Sequence, residues 1–309
     1  MMQPLRPFST PPPSISWRMQ AVLAFLRLSQ RKHMYTSAER LHAMLYSGVS
    51  AAPAPASDEQ LQVHTLDAPP GWVCTRLSPA GNLPAPARAW IYLHGGAYVR
   101  PITAWHWRLL RRLVVESGCT IIVPQYPLAP DSTCASTIPC LQQSVQAWME
   151  HYADYGLIGD SAGAGMAVAL SLAQHDTGER MAQQLLLITP WLDITLDDAT
   201  CADIAQSDPM LAIDGAREAG RLYAGNLPTS HPWCSPVMAD PRGLPPTHMW
   251  CAEHDICTPA ALRFAEQVRH TGSRITVHHG RGMPHVWPLL PAPEGWAARW
   301  EMVQAMHAR

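Results

Sequence analysis

A chain of 309 residues with 47% apolar and 15% charged residues can bury a sizeable core, which excludes a disordered polymer. Its length alone would allow two domains, but doubly wound α/β folds hold this many residues around one sheet, so a single domain over 1–309 is expected. A net charge of −2 leaves no electrostatic footprint for a nucleic-acid partner.

Residues 1–14 are rich in Pro and Ser and predict an irregular start. Residues 15–48 read as helical in two pieces. Up to Arg40 the chain carries six basic residues and one acidic one, Glu39. A solvated helical face accounts for that bias, with a membrane-facing patch as the alternative. The apolar run 21–28 is interrupted by Arg27 and is too short to span a bilayer, so a cytoplasmic protein without membrane insertion is expected. An Ala/Pro linker at 51–57 ends this arm.

Alternation of strand-like and helix-like segments follows. Segments 61–66 and 72–77 predict an antiparallel pair at a sheet edge. The apolar runs 89–93, 120–123, 157–158, 185–189, 248–251 and 274–277 suit buried parallel strands. Helical stretches at 105–116, 137–151, 163–174, 259–270 and 295–308 separate or follow them. Strand and helix in succession imply right-handed crossovers and a doubly wound sheet, with active groups at the carboxyl ends of its strands. Residues 193–228 break the alternation and read as an insertion over the sheet, with a helix near 213–223. The eight cysteines include no C-x-x-C pair and approach no closer than six residues, which predicts free thiols rather than a disulfide framework or a metal site.

The strongest chemical signal is Gly159-Asp160-Ser161-Ala162-Gly163, placed between a strand and a helix. In that setting G-x-S-x-G forms a sharp turn that lifts the serine hydroxyl above the helix N-terminus. Upstream, His94-Gly95-Gly96-Ala97-Tyr98 follows another strand, and its small residues let backbone N–H groups approach an oxyanion. The N–H groups of Gly95, Gly96, Ala97 and Ala162 are the candidate oxyanion donors. Among fifteen histidines, His285 lies in a loop, with seven residues between it and the strand at 274–277, where it can swing over Ser161. His278 and His279 end that strand and have less reach; His106 and His151 fall on helices; His94 and Asp160 read as structural. Asp255 or Glu253, both after the strand at 248–251, could supply the acid that orients the histidine.

These motifs, with Tyr126-Pro127-Leu128-Ala129-Pro130-Asp131, Thr189-Pro190-Trp191-Leu192-Asp193, Leu244-Pro245-Pro246, Ala252-Glu253-His254-Asp255 and Gly282-Met283-Pro284-His285, resemble the bacterial hormone-sensitive-lipase-like esterases. The likeness runs from about residue 90 to 287. It implies an α/β-hydrolase fold, a serine carboxylesterase acting on short or compact esters, and a triad of Ser161, Asp255 and His285, favouring Asp255 over Glu253. It implies no metal and no organic cofactor, with a small-molecule ester as the only required partner.

The resemblance also places a helical cap in about 1–50 and 193–228 over a core at about 58–192 and 229–309, with Tyr98, Trp17, Met34, Met210, Leu211 and Leu222 as candidate pocket residues. A homodimer contact is the alternative role for the arm. Two departures stand out. Ala97 replaces the third glycine of the H-G-G-G run, and the second acidic residue expected after Asp255 is missing from Ile256-Cys257-Thr258-Pro259. An amidase, formamidase or lactonase on the same triad, or a ligand receptor on the same fold, are the rival readings.

Overall fold

The computed structural model describes residues 14–29, 31–81 and 88–308. The irregular start expected over 1–14 thus lies, but for Ser14, outside the described residues. The arm forms α1 (Trp17–Leu28), a 3-10 turn (Arg31–Tyr35) and α2 (Ala38–Tyr46). The hydroxyls of Ser16 and Ser37 accept the N–H groups of Met19 and Arg40, which sets where both helices begin.

Among the described residues eight strands follow: β1 (Leu61–Leu66), β2 (Val73–Pro79), β3 (Arg88–Leu93), β4 (Thr120–Gln125), β5 (Asp154–Asp160), β6 (Leu185–Ile188), β7 (Thr247–His254) and β8 (Ile275–Pro284). They form one sheet in the order β1-β2-β4-β3-β5-β6-β7-β8. The expected edge pair β1 and β2 is antiparallel, and β2 joins β4 antiparallel as well. All other neighbours are parallel.

Side chains alternate across this sheet, as the pleat requires. Ile91, Leu93, Leu157, Leu187 and Met249 face one apolar layer. It is closed by α4 (Cys134–Trp148), α5 (Ala162–Thr177) and α8 (Thr258–His270). Trp90, Tyr92, Ile158, Leu186 and Trp250 face the other layer. That side is closed by α1, α3 (Ala104–Ser117) and α9 (Pro293–His307). The chain passes from β4 to β5 across β3, so the strand order reverses there. A crevice opens at such a switch point, outside the carboxyl ends of the neighbouring strands. Here those ends are Leu93 and Gly159, which lie in register.

The structure departs from the sequence expectations in two places. The insertion holds a second helix, α6 (Thr200–Ser207), ahead of α7 (Ile213–Ala224). Its eight residues are half polar and bury only Cys201, so no apolar stripe announced it. The last strand runs on to Pro284 rather than ending at 277. The glycines at 280 and 282 look like a turn, but the segment keeps pairing with β7, and Glu253 Oε2 accepts the Gly282 N–H at 2.6 Å.

The arm and the insertion are knitted together. Lys32 Nζ donates to the carbonyls of Ala205 and, at 2.9 Å, Asp208. His42 Nε2 and Glu218 Oε1 are 2.8 Å apart. Gly215 packs so tightly on Tyr35 that a Cβ there would come within 2.5 Å of its Cα.

An equally tight contact lies in the core, where a Cβ on Gly156 of β5 would meet the Trp90 ring at 2.3 Å. Overpacking of this kind costs about 1–3 kcal/mol. Gly156→Ala is therefore expected to melt several degrees below the parent in a calorimetric scan, whereas an equal melting temperature would show that the ring has room to shift.

Candidate active site

Ser161 links β5 directly to α5 with φ of 52° and ψ of −121°. That left-handed backbone is costly for a residue with a Cβ and persists only where the surroundings impose it. Packing imposes it here. A Cβ on Gly159 would lie 2.5 Å from Gly163 O, and one on Gly163 would lie 2.0 Å from Leu93 O. Ser161 N–H donates to Ile188 O at 2.8 Å, and Ser161 O accepts from Trp191 N–H at 3.0 Å. The serine is thus clamped between β6 and the segment after it.

Among the described residues the hydroxyl has one partner. Ser161 Oγ lies 2.8 Å from His285 Nε2, with both residues buried. Because β8 extends to Pro284, His285 follows a paired strand immediately, which corrects the expectation of a long free loop. Val286, at φ of 50°, turns the chain, and its N–H donates to Thr189 Oγ1 at 3.1 Å. On the far side of the ring, His285 Nδ1 lies 2.9 Å from Asp255 Oδ2. This is ion-pair distance, and among the described residues neither atom has another hydrogen-bond partner. Such contacts commonly tighten when substrate binds. Asp255 is fully buried in the turn from β7 to α8, where its Oδ1 accepts the Cys257 N–H at 2.9 Å. Glu253, the rival acid, is occupied by Gly282.

The turn after β3 faces the serine. Gly96 and Ala97 have positive φ, of 124° and 55°. Among the described residues no acceptor takes either N–H, and Ala162 N–H is an unpaired donor at the start of α5. Gly95 is a correction: its N–H donates to Asp160 Oδ1 at 2.9 Å and is not free for an oxyanion. Asp160 also accepts from Tyr92 and lies 3.3 Å from His106 Nε2. Burial alone would raise its carboxyl, but His106, Tyr92 and the Gly95 N–H hold it below the ordinary value. His94 stacks on Tyr126 with ring centres 4.4 Å apart, and burial lowers it to about 4, so it stays neutral and structural.

The second carboxylate that the sequence seemed to lack comes from the insertion. Asp208 Oδ2 accepts the Ile256 N–H at 3.2 Å, next to Asp255, while Oδ1 accepts from Met210 and Leu211. Burial, with the Asp255 charge close by, pushes Asp208 up to about 6. Desolvation disfavours a charged His285, but Asp255, then Asp208 and Asp160, outweigh it and raise its pKa. Asp255, Cys257 and His285 each bring one possible metal ligand within 4.8 Å. Burial and the nearby carboxylates keep the Cys257 thiol well above its usual range, which makes it a poor ligand.

Ser161 and His285 open into a mostly apolar cavity of about 660 Å³. Met210 and Leu211 line it as expected, beside Phe25, Leu26, Trp105 and Leu289. Trp17, Met34, Tyr98 and Leu222 do not. Trp17 is 72% exposed, Tyr98 is buried beneath between Trp191 and Tyr223, Met34 sits behind Arg100, and Leu222 packs into the core. Sequence periodicity could not place them: Met34 and Tyr98 lie outside the α-helices, and which edge of α1 or α7 meets the cavity is set by the packing around it.

Residues 90–289 match the family model of the α/β-hydrolase fold. The chain belongs to that family. This α/β hydrolase is 27% identical over 237 residues to an acetyl-hydrolase of Streptomyces hygroscopicus, covering 73% of this chain and 79% of the relative. It is 27% identical over 237 residues to the esterase LipI of Mycobacterium tuberculosis, covering 71% and 72% of the two chains. Its fold is similar to that of a solved esterase described as from the bacterial hormone-sensitive lipase family, with a TM-score of 0.77, 23% identity, and coverage of 96% of this chain and 100% of the other. No helix among the described residues is long and apolar enough to cross a membrane.

The Asp208 charge has a direct readout at the histidine. In this α/β hydrolase, Asp208→Asn removes one of the negative charges that favour the imidazolium, so the His285 pKa is expected to fall when the ring is titrated by NMR. An unchanged titration would show that Asp208 does not act on His285.

Proposed function

We propose that this α/β hydrolase is a serine carboxylesterase for short-chain or compact esters, with Ser161 as nucleophile, His285 as general base and Asp255 as its orienting acid. The observation that carries the reading is the 2.8 Å contact between Oγ and Nε2 on a serine held at positive φ beside unpaired N–H donors. His285 Nε2 takes the hydroxyl proton as Oγ bonds to the ester carbonyl carbon. The carbonyl oxygen becomes an oxyanion and accepts from Gly96, Ala97 and Ala162. Asp255 stabilises the imidazolium. That imidazolium then protonates the departing alkoxide, leaving an acyl-enzyme. Water, deprotonated by the same histidine, attacks the acyl carbon and releases the acid with Oγ reprotonated.

The arm and the insertion act together as a cap. Their mutual contacts and their shared contribution to the cavity wall, through Phe25 and Leu26 on one side and Met210 and Leu211 on the other, support this. A reducing cytoplasmic setting accords with eight free cysteines, six of them buried.

A fluorophosphonate should label Ser161, and Ser161→Ala should lose both labelling and ester turnover; labelling of a different serine would remove the assignment. His285→Ala should lower kcat by about 10³-fold or more. Leu211→Trp narrows the cavity wall, so kcat/KM across p-nitrophenyl esters from acetate to octanoate should shift toward the shortest. An unaltered chain-length profile would show that the insertion does not shape the pocket.

A further inference from the structure

Ser161 shares its cavity with two arginines that, among the described residues, pair with no carboxylate. Arg100 and Arg31 both line it. The ion pairs of the described residues use other arginines. Asp160 also reaches the cavity, but its oxygens are taken up by Tyr92, Gly95 and His106. Among the described lining residues, the charged side chains left to meet a ligand are therefore the two arginines.

Arg100 is the better placed of the two. Its backbone N–H donates to Gly96 O at 2.9 Å, so the side chain starts from the turn that faces the serine. A Cβ on Gly96 would lie 3.1 Å from Arg100 Cβ. Among the described residues the guanidinium is only partly satisfied: Nη1 donates to the Met34 sulfur at 3.3 Å, a weak acceptor, and the buried Nε has no partner. The Tyr35 phenol oxygen also accepts from this guanidinium, and the rest of the cavity lining is largely apolar. A guanidinium in such a setting gains most from a planar anion that accepts two of its N–H groups at once. Arg31, more exposed, adds attraction at longer range.

We propose that Arg100 is a binding site for a negatively charged group on the substrate, and that the favoured esters carry a carboxylate on their acyl or alcohol part. The inference deepens the esterase reading and rests on it. It makes Arg100 a specificity residue, acting on the remote end of a molecule whose ester carbonyl sits at Ser161.

Two substrate pairs separate charge from shape: mono-p-nitrophenyl glutarate against its methyl ester, and para-acetoxybenzoate against its methyl ester. In at least one pair the carboxylate should be favoured in kcat/KM by about tenfold or more, the range of a charge-assisted contact. That ratio should collapse toward parity in Arg100→Met and return in part in Arg100→Lys. A preference for the methyl ester in both pairs, or a ratio that Arg100→Met leaves intact, would overturn the proposal. A binding arm needs no turnover. Glutarate, unlike its dimethyl ester, should perturb the fluorescence of Trp105 and Trp191 in the parent and not in Arg100→Met; glutarate that fails to bind the parent also overturns it. Failure of the fluorophosphonate to label Ser161 would instead count against the esterase reading.

Discussion

The site depends on one strained residue. Ser161 occupies a backbone conformation that side chains avoid, and it does so because three segments converge where β5 becomes α5. Leu93 at the end of β3 leaves no space for a Cβ at Gly163, and Gly163 in turn leaves none at Gly159. Backbone bonds to Ile188 and from Trp191 clamp the serine from the β6 side. The cost of the strained turn is offset by the burial of α5, whose residues from Ala162 to Gln174 are all in the interior. The hydroxyl is delivered to one position, and the groups around it are arranged to suit that position.

Those groups come from four strand ends. The reversal of strand order at β3 puts the Gly96–Ala97 turn beside the serine, and β7 and β8 bring Asp255 and His285 from the other side. Charge is managed in two separate networks. Asp160 is committed to Tyr92, Gly95 and His106 and holds the turn after β3 in place. Asp208 is committed to the acid turn through Ile256, and to the cavity wall through Met210 and Leu211. Lys32 of the arm anchors the Asp208 carbonyl. Seating of the arm and the insertion is thereby tied to the geometry around His285.

Much of this was legible in the residues. The buried strands and their crossover helices showed as apolar runs of the right length, and the elbow glycines are required by contacts at backbone distance. Other features lay beyond a linear reading. The extension of β8 depends on pairing with β7 through a glycine-containing segment whose composition signals a turn. Gly95 looked like an oxyanion donor until Asp160, 65 residues away, proved to accept its N–H. Asp208 sits 47 residues before Asp255 in a segment without regular alternation, and only the packed insertion brings it to Ile256. Trp17 and Leu222 have the apolar character of pocket residues, but which edge of a helix faces a cavity is decided by its neighbours.

Covalent attack by one hydroxyl is the central step, and trapping the intermediate tests it most directly. The protein would be mixed with p-nitrophenyl acetate, quenched in acid during the first turnover, digested and mapped by mass spectrometry. One acetyl group on the peptide that contains Ser161, lost again as turnover is allowed to finish, is the expected result. Turnover with no acetylated peptide, or with the acetyl group on another residue, would contradict it.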